Sequence, residues 1–127
     1  MLVPSNIKFK HPDLINEYQE IDVKLQVILE DMSNWVVAKG YEFIVTDLMS
    51  EESEDKKLNR VSKSHQEGRA ADIRVRNWPK EFRDEFEAYL ELKYKKWASI
   101  SAKSGLRNLI VIHSNGNGIH CHIQVGR

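Results

Sequence analysis

The segment that most constrains the fold is the run of residues 119–125 near the C-terminus. Apolar and polar residues alternate strictly along it, and successive side chains of a strand point to opposite faces of a sheet. One face would carry Ile119, Cys121, Ile123 and Val125, and the other would carry His120, His122 and Gln124. Because the apolar set must face a core, we expect the two histidines to face a cleft or solvent.

A strong turn signal precedes this strand. The segment Ser114-Asn115-Gly116-Asn117-Gly118 contains two Asn-Gly pairs, and both residue types tolerate the positive φ angles of tight hairpin turns. Residues 109–112 are short and apolar, as in a buried strand. We therefore expect a C-terminal hairpin in which residues 109–112 pair with residues 119–125.

Two further strands are predicted upstream. Residues 41–48 are rich in β-branched and aromatic side chains. Residues 70–75 alternate, with Ala70, Asp72 and Arg74 on one side and apolar residues on the other. Between these strands, residues 49–59 are dominated by charged side chains, which favours a solvated loop.

Two helices complete the prediction. Apolar residues recur at steps of three and four from Leu14 to Trp35, which indicates one long amphipathic helix that begins after Pro12 and ends before Gly40. A second helix is expected to have Asn77 as its cap and Pro79 in its first turn. Its apolar face would be formed by Phe82, Phe86, Tyr89, Trp97 and Ile100.

The order of these elements predicts a small α+β fold, with helices packed on an antiparallel sheet, in a single domain spanning residues 1–127.

The 19 basic and 19 acidic side chains balance, which argues against nucleic acid or an anionic membrane as partner. We find no signal-peptide pattern and no apolar stretch of bilayer-spanning length, so we expect no membrane insertion and a cytoplasmic location at synthesis. A single cysteine suits a reducing compartment.

The candidate chemistry lies in two segments. His65 and Asp72 stand seven positions apart, with Gly68 between them to allow a backbone turn. If the C-terminal strand lies alongside, one of its two histidines, His120 or His122, could join them and complete a set of three nitrogen and oxygen donors, with the other histidine beside it. Three protein ligands with one open position are typical of catalytic zinc. From spacing alone, a metal site and an ordinary surface His–Asp pair remain equal alternatives.

The motif His65-x-x-Gly68-x-Ala70-x-Asp72, followed by His120-x-His122 on a terminal strand, resembles the zinc D-alanyl-D-alanine carboxypeptidase and L-alanyl-D-glutamate endopeptidase family. That family belongs to the group that includes lysostaphin-type peptidases and the Hedgehog signalling domain. The resemblance covers roughly residues 12–125, because the order of the predicted elements is also similar. It implies a fold like that of Hedgehog and the D-alanyl-D-alanine peptidases.

The resemblance also implies roles for individual residues. His65, Asp72 and His122 would be the Zn²⁺ ligands, and His120 would be the catalytic acid or base beside the metal. The substrate would be a peptidoglycan stem peptide, and a metal-activated water would be the nucleophile that hydrolyses the amide bond.

Two departures from the family pattern concern substrate binding. Many members have a serine two positions before the first zinc histidine, where this chain has Lys63, with Ser64 next to it. Many also have a Ser-Gly-Tyr-Arg-like segment whose arginine holds a substrate carboxylate, and residues 46–49 of this chain differ from it. Arg60 or Lys63 could replace that arginine, and Ser64 is a further candidate substrate-binding residue.

A small monomeric peptidase of this kind would suit a phage endolysin that acts on the cell wall once it is released. The alternative is a zinc-binding Hedgehog-like interaction module without catalytic activity. A metal-dependent nuclease is a third option, which net neutrality and the lack of a basic stripe disfavour. Three other residues have ordinary structural interpretations: His113 as a solvated turn residue, Trp78 as a core residue and Cys121 as a small buried thiol.

Overall fold

The computed structural model describes residues 4–49, 68–100, 107–108, 110–115 and 118–126. Its regular elements, in chain order, are β1 (Ile7–Phe9), α1 (Asp13–Tyr18), α2 (Val23–Ala38), β2 (Phe43–Asp47), β3 (Ala70–Arg74), α3 (Lys80–Tyr94), a 3-10 turn (Lys95–Trp97), β4 (Ser99–Ile100), β5 (Arg107–Asn108), β6 (Ile110–Asn115) and β7 (Gly118–Gln124). The predicted charged loop lies, apart from Met49, outside the described residues.

Five strands form a mixed sheet in the order β1-β2-β3-β7-β6. The predicted α+β class is confirmed, whereas the prediction of an antiparallel sheet is wrong at β1, which runs parallel to β2. The connection from β1 to β2 passes through α1 and α2, and such a crossover returns the chain in its original direction. The pairs β2–β3, β3–β7 and β6–β7 are antiparallel. The short strands β4 and β5 pair separately.

The first helical region is two helices instead of the single helix predicted. The chain leaves helical geometry after Tyr18 and re-enters it at Val23. Asp22 is the N-cap of α2, because its carboxylate accepts a hydrogen bond of 2.8 Å from the backbone N–H of Lys24. Ile21 is buried within the break, so the apolar stripe continues across it and periodicity alone does not reveal it.

The second helix also differs from its prediction at both ends. α3 begins at Lys80 with Pro79 as its N-cap, so Asn77 does not cap it and Pro79 is outside its first turn. The helix ends at Tyr94, and the predicted continuation to Ile100 is wrong. Trp97 lies in the 3-10 turn and Ile100 lies in β4.

The C-terminal hairpin is confirmed, with Asn115 paired to Gly118 at its closed end. The strand β6 reaches further toward the turn than predicted. His113 consequently lies within the strand, opposite His120, and its assignment to the turn is wrong.

The hydrophobic core joins one face of the sheet to the helices. Its fully buried members include Phe43, Val45, Ile73, Cys121 and Ile123 from the strands, and Leu25, Ile28, Met32, Phe86 and Leu90 from α2 and α3. The alternation predicted for β3 and β7 is therefore confirmed, because Ala71, Ile73, Cys121 and Ile123 are buried in this core and Ile119 is partly buried against it. Trp78 is also buried there, at 5% exposure.

None of the helices in the described part of the chain is long and apolar enough to cross a bilayer.

Candidate metal centre

Asp72 and His122 lie directly opposite each other on the neighbouring strands β3 and β7. Residues paired in this way project to the same face of a sheet. Their side chains meet there, with His122 Nδ1 and Asp72 Oδ1 separated by 2.9 Å. The side chains are 19% and 13% exposed, respectively, so the pair is largely shielded from water. The structure thus brings together two of the three predicted metal ligands.

The second ring nitrogen of His122 also has a neighbour. Gln124, two residues further along β7, places its Oε1 atom 3.0 Å from His122 Nε2. Gln124 is 9% exposed. The sequence places Gln124 on the polar face but does not indicate this contact. A side chain two residues after His122 on the same strand can adopt several rotamers, and only some of them reach the imidazole.

His120 also lies on β7, two residues before His122, and its side chain is partly buried. It pairs with Arg74 of β3 on one side and with His113 of β6 on the other. Alternation along β7 places it on the same face as His122. The predicted catalytic residue is therefore on the side of the sheet that carries the Asp72–His122 pair.

A β-bulge holds β3 next to β2 at the level of Asp72. Val45 pairs with Ile73, whereas Asp47 pairs with Asp72, so β2 has one extra residue at Thr46. The Thr46 hydroxyl donates a hydrogen bond of 3.2 Å to the backbone carbonyl oxygen of Asp72. The sequence did not identify Thr46, since the contact depends on the bulge.

The chain segment entering β3 is anchored at two points. Gly68 has a φ of +70° and accepts a 2.8 Å hydrogen bond from the backbone N–H of Asp22. Arg69 donates from Nη1 to the carbonyl oxygen of Val125, at 2.6 Å. Gly68 therefore has the positive φ that the predicted turn needs, while residues 65–67, which that turn also spans, lie outside the described residues. The two hydrogen bonds tie the start of β3 to the N-cap of α2 and to the end of β7.

Ala70 has no exposed surface and pairs with Gln124. Other residues therefore cover this position, and the small side chain leaves no open space there.

The remaining site residues were predicted in the segment before Gly68. His65, Arg60, Lys63 and Ser64 lie outside the described residues. Within the ranges that the structure describes, no three histidine, cysteine, aspartate or glutamate side chains form a group that could hold a metal ion. Asp72 and His122 by themselves supply two donors, and the third predicted donor is His65.

The donor pair fits zinc in its chemistry, while its spacing is that of a direct hydrogen bond. Carboxylate oxygen and imidazole nitrogen are ordinary zinc ligands, and two such atoms on one tetrahedral zinc lie about 3.3 Å apart. The observed 2.9 Å between His122 Nδ1 and Asp72 Oδ1 is shorter by a few tenths of an ångström. The two side chains would have to move apart slightly for an ion to bind between them. The polar face thus offers a carboxylate and an imidazole side by side.

Cys121 takes no part in this face. It is fully buried on the opposite side of β7, opposite Ile73. Burial raises the pKa of its thiol well above the ordinary value, and the negative charges of Asp72 and Glu87 add to the effect. A thiol in that environment stays protonated and is a poor nucleophile or metal ligand, so its interpretation as a small buried residue is confirmed.

Comparisons with known proteins identify no relative of this chain. No family model matches the chain, and neither the curated proteins nor the solved structures contain a match. The likeness to the zinc peptidases therefore depends on the motif residues and on the order of the predicted elements, and it remains a prediction.

Proposed function

We propose that the chain is a zinc-dependent peptidase that hydrolyses an amide bond in bacterial peptidoglycan stem peptides. The observation that carries the proposal is the contact between Asp72 and His122 on adjacent strands. These residues stand 50 positions apart in the chain, and the motif had assigned both to one metal. Their meeting on the polar face supports the proposal, because two ligands of one metal must lie side by side.

Asp72, His122 and His65 would hold the zinc ion. Bound zinc supplies Lewis-acid chemistry, which polarises a carbonyl oxygen and makes a nearby water more acidic. His120 lies on the same face and would accept a proton from the attacking water and return it to the leaving amine. The imidazolium formed in the first step would also stabilise negative charge on the carbonyl oxygen. Arg60, Lys63 and Ser64 are the proposed substrate-binding residues, with the cations pairing with a stem-peptide carboxylate.

The bond cleaved would be either the terminal D-Ala-D-Ala bond or the internal L-Ala-D-Glu bond. A phage endolysin is the biological setting that we propose, with a monomeric enzyme that is cytoplasmic at synthesis and meets the cell wall after release.

Digestion of purified peptidoglycan tests this function. The protein is incubated with peptidoglycan as prepared, with a chelator, and with the chelator followed by excess zinc, and released fragments are identified by mass spectrometry. We expect release that the chelator abolishes and zinc restores, and the fragment masses identify the bond. Zinc binding by the folded protein without any cleavage would instead favour the Hedgehog-like interaction module.

A further inference from the structure

We propose that Gln124 is a positioning residue that fixes the ring orientation of His122, so that Nδ1 is the nitrogen presented at Asp72. The inference deepens the proposed function, because the nitrogen at Asp72 is the one that would face the metal. The observation behind it is a pair of contacts on one imidazole. Nδ1 lies 2.9 Å from Asp72 Oδ1, and Nε2 lies 3.0 Å from Gln124 Oε1.

These two contacts select one of the two orientations of a planar ring. A half-turn of the imidazole about its bond to Cβ exchanges Nδ1 with Cδ2 and Nε2 with Cε1. After such a turn, carbon atoms would face both Asp72 and Gln124, and both polar contacts would be lost. Asp72 and Gln124 therefore each oppose the turn, from opposite ends of the ring.

Gln124 becomes the more important restraint once a cation is bound. The Asp72 carboxylate would then be engaged with the cation and would no longer hold His122 through a direct hydrogen bond. Gln124 would still hold Nε2. A histidine that binds a metal through Nδ1 carries its proton on Nε2, and that N–H needs an acceptor. The Oε1 atom at 3.0 Å meets this need.

The surroundings of Gln124 make the contact a built feature of the site. The side chain is 9% exposed and lies on the last strand position before the bridge between Ala98 and Val125. The residue paired with Gln124 on β3 is Ala70, whose short, apolar methyl group cannot replace the contact with His122 Nε2. An amide carries both an acceptor and donors, so Gln124 can bind Nε2 in either protonation state of that atom.

The first measurement uses the metal-free protein and does not depend on zinc. NMR of the His122 ring, through contacts of its Cδ2 and Cε1 protons and its ¹⁵N shifts, reports how many orientations it adopts. We expect one orientation in the wild type and in Gln124→Glu, which retains an acceptor at the same reach. In Gln124→Met, which has similar length and no hydrogen-bonding oxygen, Asp72 alone opposes the turn, and we expect a second, turned orientation to become populated beside the first. Gln124→Asn, whose amide is one methylene shorter, replaces Gln124→Met if that variant does not fold. It should also show two ring orientations.

The second measurement is zinc affinity by competition with a chelator of known strength. Loss of a hydrogen-bonding partner behind a metal-binding histidine typically weakens affinity by about 10–100-fold. We expect a loss of that size in Gln124→Met and little change in Gln124→Glu. The matched control is Gln26→Met, which removes another buried amide, one that donates to the Tyr18 carbonyl oxygen at 2.8 Å. That variant should lose stability and keep both the ring orientation and the zinc affinity.

The possible results separate this inference from the proposed function. One ring orientation in Gln124→Met and Gln124→Asn, or zinc affinities equal to that of the wild type, would overturn the positioning role. A wild-type protein that binds no zinc, yet shows the predicted ring orientations, would refute the metal site and leave the positioning role intact.

Discussion

The Thr46 hydroxyl donates a hydrogen bond of 3.2 Å to the backbone carbonyl oxygen of Asp72, across the bulge between β2 and β3. We expect Thr46→Val, which keeps the side-chain shape and removes the hydroxyl, to lower the free energy of unfolding by about 1 kcal/mol. Because the bond holds the strand at the Asp72 position, zinc affinity should fall as well. Chemical denaturation and chelator competition measure the two effects.

Thr46→Ser is the matched control for that change, since it retains the hydroxyl. It should keep the zinc affinity of the wild type. If Thr46→Val matched the wild type in both stability and affinity, the bulge contact would have no part in positioning Asp72.

Gly40 and Gly68 both have positive φ, and comparing them separates the backbone cost of a side chain at Gly68 from its steric cost. At Gly40, φ is +91° and an added Cβ atom would meet nothing within 4 Å. At Gly68, φ is +70° and the added atom would lie 3.3 Å from the backbone Cα of Ile21. Gly40→Ala should therefore cost about 1 kcal/mol from backbone conformation alone. Gly68→Ala should cost more, because the segment around Ile21, between α1 and α2, must also shift.

Thermal or urea unfolding of the two alanine variants measures this difference. Gly68→Ala should also weaken zinc binding, since Gly68 leads into the strand of Asp72, while Gly40→Ala should not. An equal loss of stability in the two variants would contradict the close packing of Gly68 against the backbone of Ile21.

The buried phenol of Tyr18 should make the folded protein less stable at alkaline pH. Burial, with the charge of Glu30 adding to it, raises its pKa from 10.0 to about 12. The folded state therefore favours the protonated phenol. The stability that depends on this protonated phenol is fully present below pH 10. It is lost as the pH rises toward 12, because the unfolded chain releases the phenol proton at a lower pH than the folded protein does. The loss for a shift of this size is about 2 kcal/mol by pH 12.

Urea unfolding of the wild type and Tyr18→Phe between pH 8 and 12 isolates this effect, because other titrating groups contribute equally to both. The wild type should lose more stability over that range than the variant. Parallel curves would show that the phenol of Tyr18 ionises as readily in the folded protein as in the unfolded chain.

His120→Ala separates metal binding from catalysis. If His120 transfers the proton, its removal should reduce peptidoglycan cleavage by about 10²–10⁴-fold. Zinc affinity should be unchanged, because Asp72, His122 and His65 are the proposed ligands. Fragment release and chelator competition on the same preparation measure both quantities. A variant that cleaves at the wild-type rate would exclude His120 as the acid or base.

The sequence predicted best where burial alone determines the structure. Strict alternation along β7 identified which residues face the core, and Cys121 and Ile123 are indeed fully buried. The same rule placed Asp72 and His122 on the polar side of their strands. Two Asn-Gly pairs also marked the hairpin correctly, since few other residues fit such a turn.

The sequence predicted poorly where a break or a long-range pairing determines the structure. Ile21 continues the apolar stripe through the gap between α1 and α2, and only Asp22, a favourable N-cap residue, marks the new start. The strand β1 has three residues, too few to show alternation, and its parallel pairing with β2 depends on the crossover through the helices. The contacts of Thr46 and Gln124 depend on a bulge and on a rotamer, and neither leaves a pattern in the sequence.

The central claim is that Asp72 and His122 belong to one zinc site, and a zinc titration of the metal-free protein by calorimetry tests it most directly. The wild type should bind one zinc ion per chain. Asp72→Asn should lose that binding. Asp84→Asn, which removes an exposed carboxylate that is 2.7 Å from Lys80 on α3, should retain it. Absence of zinc binding in the wild type, or equal binding in Asp72→Asn, would contradict the account.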